Sequence, residues 1–262
     1  MRFSAVLLTE LRKITSLWYW WPPLIALPLV GALMSFGLPV AAMNTIDSPL
    51  DWQTEPQVTA LFTLIVPVGF IVPLVAGILI HTSDVSRRTF ALTLLAEPNR
   101  LRVLAAKLVV SAGYGALTGI VSAAGGVAGG TAGLTVADAA SDAIPQAIIT
   151  IIAVVPVFAL WGMIGTGLGA LVPSTLIAVL GVLALTQVVE PVLRFIVVIT
   201  GTMQWTDYLP GAVGDSAVGG TMVTLAAQGS SVDQAIGLVL MAVYALVLVV
   251  AGMFRVSRYE LR

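Results

Sequence analysis

No Asp, Glu, Lys or Arg lies between Lys13 and Asp47, between Glu55 and Asp84, between Lys107 and Asp138, between Asp142 and Glu190, or between Asp233 and Arg255. A run of about 20 apolar residues is long enough to cross a hydrocarbon core of about 30 Å. Four of these stretches hold one such run each. The stretch from Asp142 is longer than one helix needs, so it has to fold back, and Pro173-Ser174 is the natural turn. The chain is 58% hydrophobic and only 10% charged, against about 25% charged in soluble domains. Lipid therefore has to be part of its solvent.

The runs predict six spans, near residues 18–40, 58–80, 104–130, 144–170, 175–199 and 234–254. A membrane barrel would need strands alternating apolar and polar residues over about ten positions. These runs are continuously apolar and rich in Ala and Gly. The expected fold class is all-α, a single polytopic membrane domain over residues 1–262. The first apolar run contains Pro22, Pro23 and Pro28 and follows an amphipathic segment. It reads as a retained span rather than a cleaved signal.

Basic residues orient the spans. There are twelve. Arg2, Arg12, Lys13, Arg87, Arg88, Arg100, Arg102, Lys107, Arg255, Arg258 and Arg262 all fall on one side of a six-span arrangement, and only Arg194 falls elsewhere. Segments of this kind stay cytoplasmic. Both termini are thus expected in the cytosol, with the chain in the plasma membrane. Asp47, Asp51, Glu55, Asp138, Asp142, Asp207, Asp215 and Asp233 fall in predicted outer loops. With no cysteine, no disulfide can hold those loops.

Between the spans, four segments stand out. Residues 2–17 predict an interfacial amphipathic helix. Phe3, Val6, Leu7, Leu11, Ile14 and Leu17 form one face, ahead of the aromatic cluster Trp18 to Trp21. It is either an anchor or an elbow helix that touches a cytoplasmic partner through Glu10 and Lys13. Residues 84–97 predict a helix capped by Ser83 or Asp84, carrying Arg87 and Arg88 with Phe90 and Leu94 on one face, and ended by Pro98-Asn99. It is either a topology-setting basic loop or a docking helix for a protein. The third and fourth spans carry glycines four residues apart, at Gly115/Gly119, Gly125/Gly129/Gly133 and Gly165/Gly169. Such spacing permits close helix packing. Within the outer segment 200–233, the apolar stretch Ala217 to Ala227 is too short to span and predicts a re-entrant or interfacial half-helix.

Catalytic signatures are missing. The chain has no Gly-x-x-x-x-Gly-Lys-Ser/Thr phosphate loop. Its single histidine, His81, has no cysteine to complete a zinc site. These residues give no reason to expect an enzyme, a metal site or a nucleic-acid partner. The one charged point inside a span is Glu190 with Arg194, one helical turn apart on the fifth span. Glu190 lies about 22 Å along that helix from Thr175 at 1.5 Å per residue, in the outer third of a bilayer. Pro191 frees the carbonyl of Gln187. Gln187, Glu190 and Arg194 are either a buried pair orienting a kinked helix or a gate on a substrate pathway.

Several motifs together carry a family likeness. They are Glu10-x-x-Lys13 before the first span, Asp84-Val-Ser-Arg-Arg-Thr89, and Leu94-Leu-Ala-Glu-Pro98-Asn-Arg100 through Ala106-Lys107. Val189-Glu190-Pro191 and Trp205-Thr-Asp-Tyr208-Leu-Pro210-Gly211 complete the set. In these, over nearly its whole length, the chain resembles a type-2 ABC transporter permease, the six-span membrane subunit of ATP-driven exporters. Where such permeases commonly carry Gly-Glu and Gly-Thr, this chain has Ser83-Asp84 and Arg88-Thr89. The resemblance implies two permease chains, expected as a homodimer, and two separate ATPase subunits that carry ATP and Mg. It also implies that the 84–97 helix is the coupling helix. Glu10, Lys13, Asp84, Arg87, Arg88, Thr89, Phe90, Leu94 and Arg100 would then transmit the ATPase stroke. The cargo expected is an amphipathic or hydrophobic drug, peptide or lipid. The rival expectations are a secondary transporter or channel using Glu190 as a proton or cation site, and a membrane scaffold that moves no solute.

Overall fold

The computed structural model describes residues 3–16, 18–43, 50, 52–86, 97, 99–139, 144–172, 174–200, 204–226 and 232–257. Among them the regular structure is entirely helical. The helices are α1 (Phe3–Thr15), α2 (Pro22–Ala42), α3 (Glu55–Phe62), α4 (Val66–Gly69), α5 (Ile71–Ser86), α6 (Arg100–Val136) and α7 (Ile144–Leu171). They continue as α8 (Thr175–Ala184), α9 (Glu190–Thr200), α10 (Pro210–Ala217), α11 (Met222–Ala226) and α12 (Gln234–Ser257). Six helical stretches are long and apolar enough to cross a membrane: Pro22–Ala42, Glu55–Asp84, Arg100–Val136, Pro145–Leu171, Thr175–Val197 and Gln234–Ser257. Large apolar side chains lie exposed along several of them, among them Leu33, Ile177, Phe195 and Leu246. A surface of this kind suits acyl chains rather than water. The chain is a multi-pass membrane protein, as the charge-free runs predict.

One end of the bundle gathers the basic residues. Arg100, at the start of α6, donates to the Val256 carbonyl near the end of α12 at 3.2 Å. Arg255 donates to the Leu171 carbonyl at the end of α7. Val6 of α1 packs on Val103 and Ala106. This is the basal end, and the opposite end is the distal one. Among the described residues the bases of α1, of the first turns of α6 and of the last turn of α12 lie basally, and Arg194 lies distally.

Glycine spacing sets the packing of the core helices. A methyl at Gly125, Gly129 or Gly133 would strike the backbone of Pro28, Ala32 or Phe36. Both rows step by four residues, so α2 and α6 meet backbone to backbone in register. On α7, Gly165 and Gly169 meet Leu74 and Ile78 of α5 in the same way. The core they close contains Phe70, Leu74, Phe158, Trp161 and Met241, with the rings of Phe70 and Trp161 stacked 4.2 Å apart.

Two spans are interrupted. The second span breaks at Thr63–Ile65, between α3 and α4. Pro67 and Pro73 each lack the N–H that a continuous helix would need. The Thr63 hydroxyl reaches the Gly220 carbonyl at 2.8 Å. The fifth span widens into a π turn at Leu185–Val189, just ahead of Pro191. The Glu190 N–H bonds to the Leu185 carbonyl, five residues back. The extra residue accommodates the proline ring without ending the helix.

Two expectations need correction. The apolar stretch Ala217 to Ala227 does not form one half-helix. Gly219 and Gly220 adopt φ of +89° and +109°, a left-handed turn that separates α10 from α11. The buried distal helix is α10, upstream of that stretch. Asp84 does not start a new helix either, because α5 continues through it to Ser86. The rest of the predicted coupling helix, with Arg87, Arg88, Thr89, Phe90 and Leu94, lies outside the described residues.

Candidate functional site

At the basal end, three helices bring four charges together. Lys107, on the second turn of α6, is fully buried. Its ammonium donates to Glu10 at 2.8 Å, to Asp84 at 2.5 Å and to the Ile80 carbonyl at 2.8 Å. All three of its donors are thereby used. Lys13 donates to Glu10 at 2.7 Å and to Asp84 at 3.1 Å. Two carboxylates and two ammonium groups make the quartet formally neutral. Burial works against the charge on Lys13, but hydrogen bonds and charges from Glu10 and Asp84 outweigh it and hold the ammonium above its ordinary value.

The local sequence explains this arrangement. On α1, Val6, Glu10 and Lys13 recur at helical spacing and turn toward α6, while Phe3, Leu8 and Leu11 stay exposed. Glu10 and Lys13 therefore share the Val6 side of the helix, so the face turned to α6 mixes charged residues with part of the apolar face predicted for it. Glu10 is 2% exposed and is engaged inside the chain. Arg100 lies outside the quartet and ties α6 to α12.

At the distal end, α9 and α10 build a second cluster. Arg194 donates to Asp215 at 2.7 Å, and its guanidinium lies 3.7 Å from Glu190. The Gly211 N–H, in the first turn of α10, donates to Glu190 at 2.9 Å. Glu190 thus sits at the positive end of the α10 dipole. Gln187 donates to the Pro67 carbonyl at 3.2 Å, which joins the π turn to the broken second span. Burial pushes the Asp215 carboxyl up, and the Arg194 guanidinium opposes that rise without cancelling it.

Three adjoining cavities run between the two clusters along the face of α4 and α5. The basal cavity, of about 260 Å³, has Glu10, Lys13, Ser83 and Tyr114 among its lining residues. The middle one, of about 510 Å³, shares Pro23, Ile71 and Val72 with it. The distal one, of about 550 Å³, shares Val68 with the middle cavity and is bounded by Gln187, Glu190, Arg194 and Asp215. Together they form a groove from one charged cluster to the other, with apolar walls between. Val68, Val72, Val75, Leu79 and Ser83 recur every three or four residues, which puts them on one helical stripe.

Gln187, Glu190 and Arg194, paired in sequence reasoning, do line one cavity. Glu10, Lys13 and Asp84 also meet. Two members were missed. Lys107 reads as a flanking cation of the third span, yet it is the hub of the quartet. Its one signal is position: Leu104, Ala105, Ala106, Leu108 and Val109 surround it with no carboxylate within four residues. Asp215 reads as a loop acid, and its signal is a place one turn after Pro210-Gly211 among small residues. No family model matches the chain, and no curated protein matches it.

Proposed function

We propose that this chain is the membrane-spanning permease subunit of an ATP-driven ABC exporter. It moves an amphipathic or hydrophobic compound across the plasma membrane by alternating access. The observation that carries this reading is the groove along the second span. It runs nearly the depth of the bundle, its walls are apolar, and its charged groups are confined to the ends. A second copy of the chain laid against that face would close the groove into a pathway. The basal end would face the cytosol, with both termini there.

In this reading ATP and Mg belong to separate ATPase subunits. They would dock on the segment that follows Ser86, with Arg87, Arg88, Thr89, Phe90 and Leu94 as contacts. The quartet of Glu10, Lys13, Asp84 and Lys107 ties the base of α5 to α1 and α6. A push on the segment after α5 would therefore be felt at once by three helices.

The test is affinity purification in mild detergent followed by reconstitution. An ATP-hydrolysing subunit should accompany the chain, and transport in proteoliposomes should require ATP. Exchanging Arg87 and Arg88 together for Glu should lose that subunit. Retention of the full complex and of its transport would sink the coupling assignment. A second reading, a proton- or cation-coupled transporter centred on Glu190, is favoured by the burial of Glu190 beside Arg194 and Asp215. Uptake that persists without nucleotide but collapses with an ionophore would select it.

A further inference from the structure

The distal cavity differs from the other two in charge. Its ionisable lining consists of Glu190 and Arg194 from α9 and Asp215 from α10. From α4 and its flank come Pro67, Val68 and Phe70, and from α11 come Val223 and Ala226, all uncharged. Two carboxylates therefore share one guanidinium, and the formal sum is one negative charge. The N-terminus of α10 supplies the equivalent of about half a positive charge at most, which leaves the cluster short of balance. A net charge kept among apolar walls is costly unless a proton or a counter-charge joins it.

The nature of that counter-charge follows from the space. A bare metal ion needs several oxygen ligands at about 2.0–2.6 Å, and here both carboxylates are already engaged with Arg194 and Gly211. The cavity of about 550 Å³ lies instead within the range of about 300–1,000 Å³ that holds drug-sized molecules. Phe70 and Phe195 add aromatic surface to its walls, and such rings attract organic cations when desolvated.

We propose that the distal cavity binds a lipophilic organic monocation, with its positive centre held by the field of Glu190 and Asp215 and its apolar body against Val68, Phe70 and Phe195. This names a substrate class for the exporter reading and rests on it for the direction of transport. Binding itself requires no partner subunit.

The test uses two probes of the same shape and opposite sign, tetraphenylphosphonium and tetraphenylborate. Equilibrium dialysis on the purified full chain in detergent should find tetraphenylphosphonium bound and tetraphenylborate excluded by tenfold or more. Glu190→Gln should weaken tetraphenylphosphonium by about tenfold, which corresponds to about 1.4 kcal/mol. Phe195 is exposed, so Phe195→Ala keeps the fold and should weaken the same probe severalfold. Equal binding of the two probes to the unaltered chain would overturn the proposal even if Glu190→Gln failed to fold. So would tetraphenylphosphonium affinity unmoved by both substitutions. The outcomes separate the two claims. Binding without any co-purifying ATPase would leave the cation site standing and remove the exporter reading, whereas an ATPase complex blind to the cation would do the reverse.

Discussion

Lys107 shows how much one side chain can hold. Its ammonium is buried against Glu10, Asp84 and the Ile80 carbonyl. Removing one partner from a buried ion pair costs about 3–5 kcal/mol, because the charges left behind stay desolvated. Lys107→Met is therefore expected to lower thermal stability in detergent by that order. Pairing it with Glu10→Gln should recover part of the loss, because the remaining Asp84 and Lys13 then balance. Lys13 gives a pH signature. Its folded-state pKa is raised, so its contribution is fully present below the unfolded value near 10.5 and fades as pH climbs through the higher folded value. A melting temperature that is level to about pH 10 and then falls should flatten in Lys13→Gln, with a small amplitude because the side chain is 35% exposed. The charge pairs were only half legible in the chain. Glu190 and Arg194 announce themselves by sitting one turn apart in an apolar run. The partners of Lys107 lie 97 and 23 positions away, and no local spacing encodes that.

Helices pack here according to which glycines face a neighbour. Gly129→Leu is expected to destabilise by about 1–3 kcal/mol through overpacking against the Ala32 backbone. Gly113 and Gly181 meet nothing within 4 Å. Alanine at either should be neutral or stabilising by about 0.5–1 kcal/mol, through helix propensity alone. Melting the two classes side by side checks the assignment. If Gly129→Leu melted with the unaltered chain, α2 and α6 would not be in the contact described. At this scale the sequence is most readable where one residue type has one physical consequence. Four-residue glycine spacing implies close packing, and Pro191 implies a disturbed helix. It is least readable where two solutions exist. A proline can be met by a kink or by a π turn, and only the packing of Gln187 on Pro67 distinguishes them.

For the molecule as a whole, the six spans are the most secure consequence of the sequence, because a charge-free run in a chain of mean hydropathy +1.03 has few other places to go. Sidedness is an expectation that the lack of native cysteine makes simple to test. Thr9→Cys, at the basal end, should react with a membrane-impermeant maleimide only after the cells are opened. Asp233→Cys, just before α12, should react in intact cells. Labelling in the opposite sense would invert the topology and with it the exporter reading.

The interlocking of α2 and α6 limits what motion is available. Three glycines on one helix mesh with three backbone positions on the other, like two toothed racks, so sliding by less than a full turn would jam every tooth at once. That pair is expected to move together. Any change of shape would then fall to the second and fifth spans. Each is interrupted by a non-α turn, at Thr63–Ile65 and Leu185–Val189, and Gln187 cross-links the two.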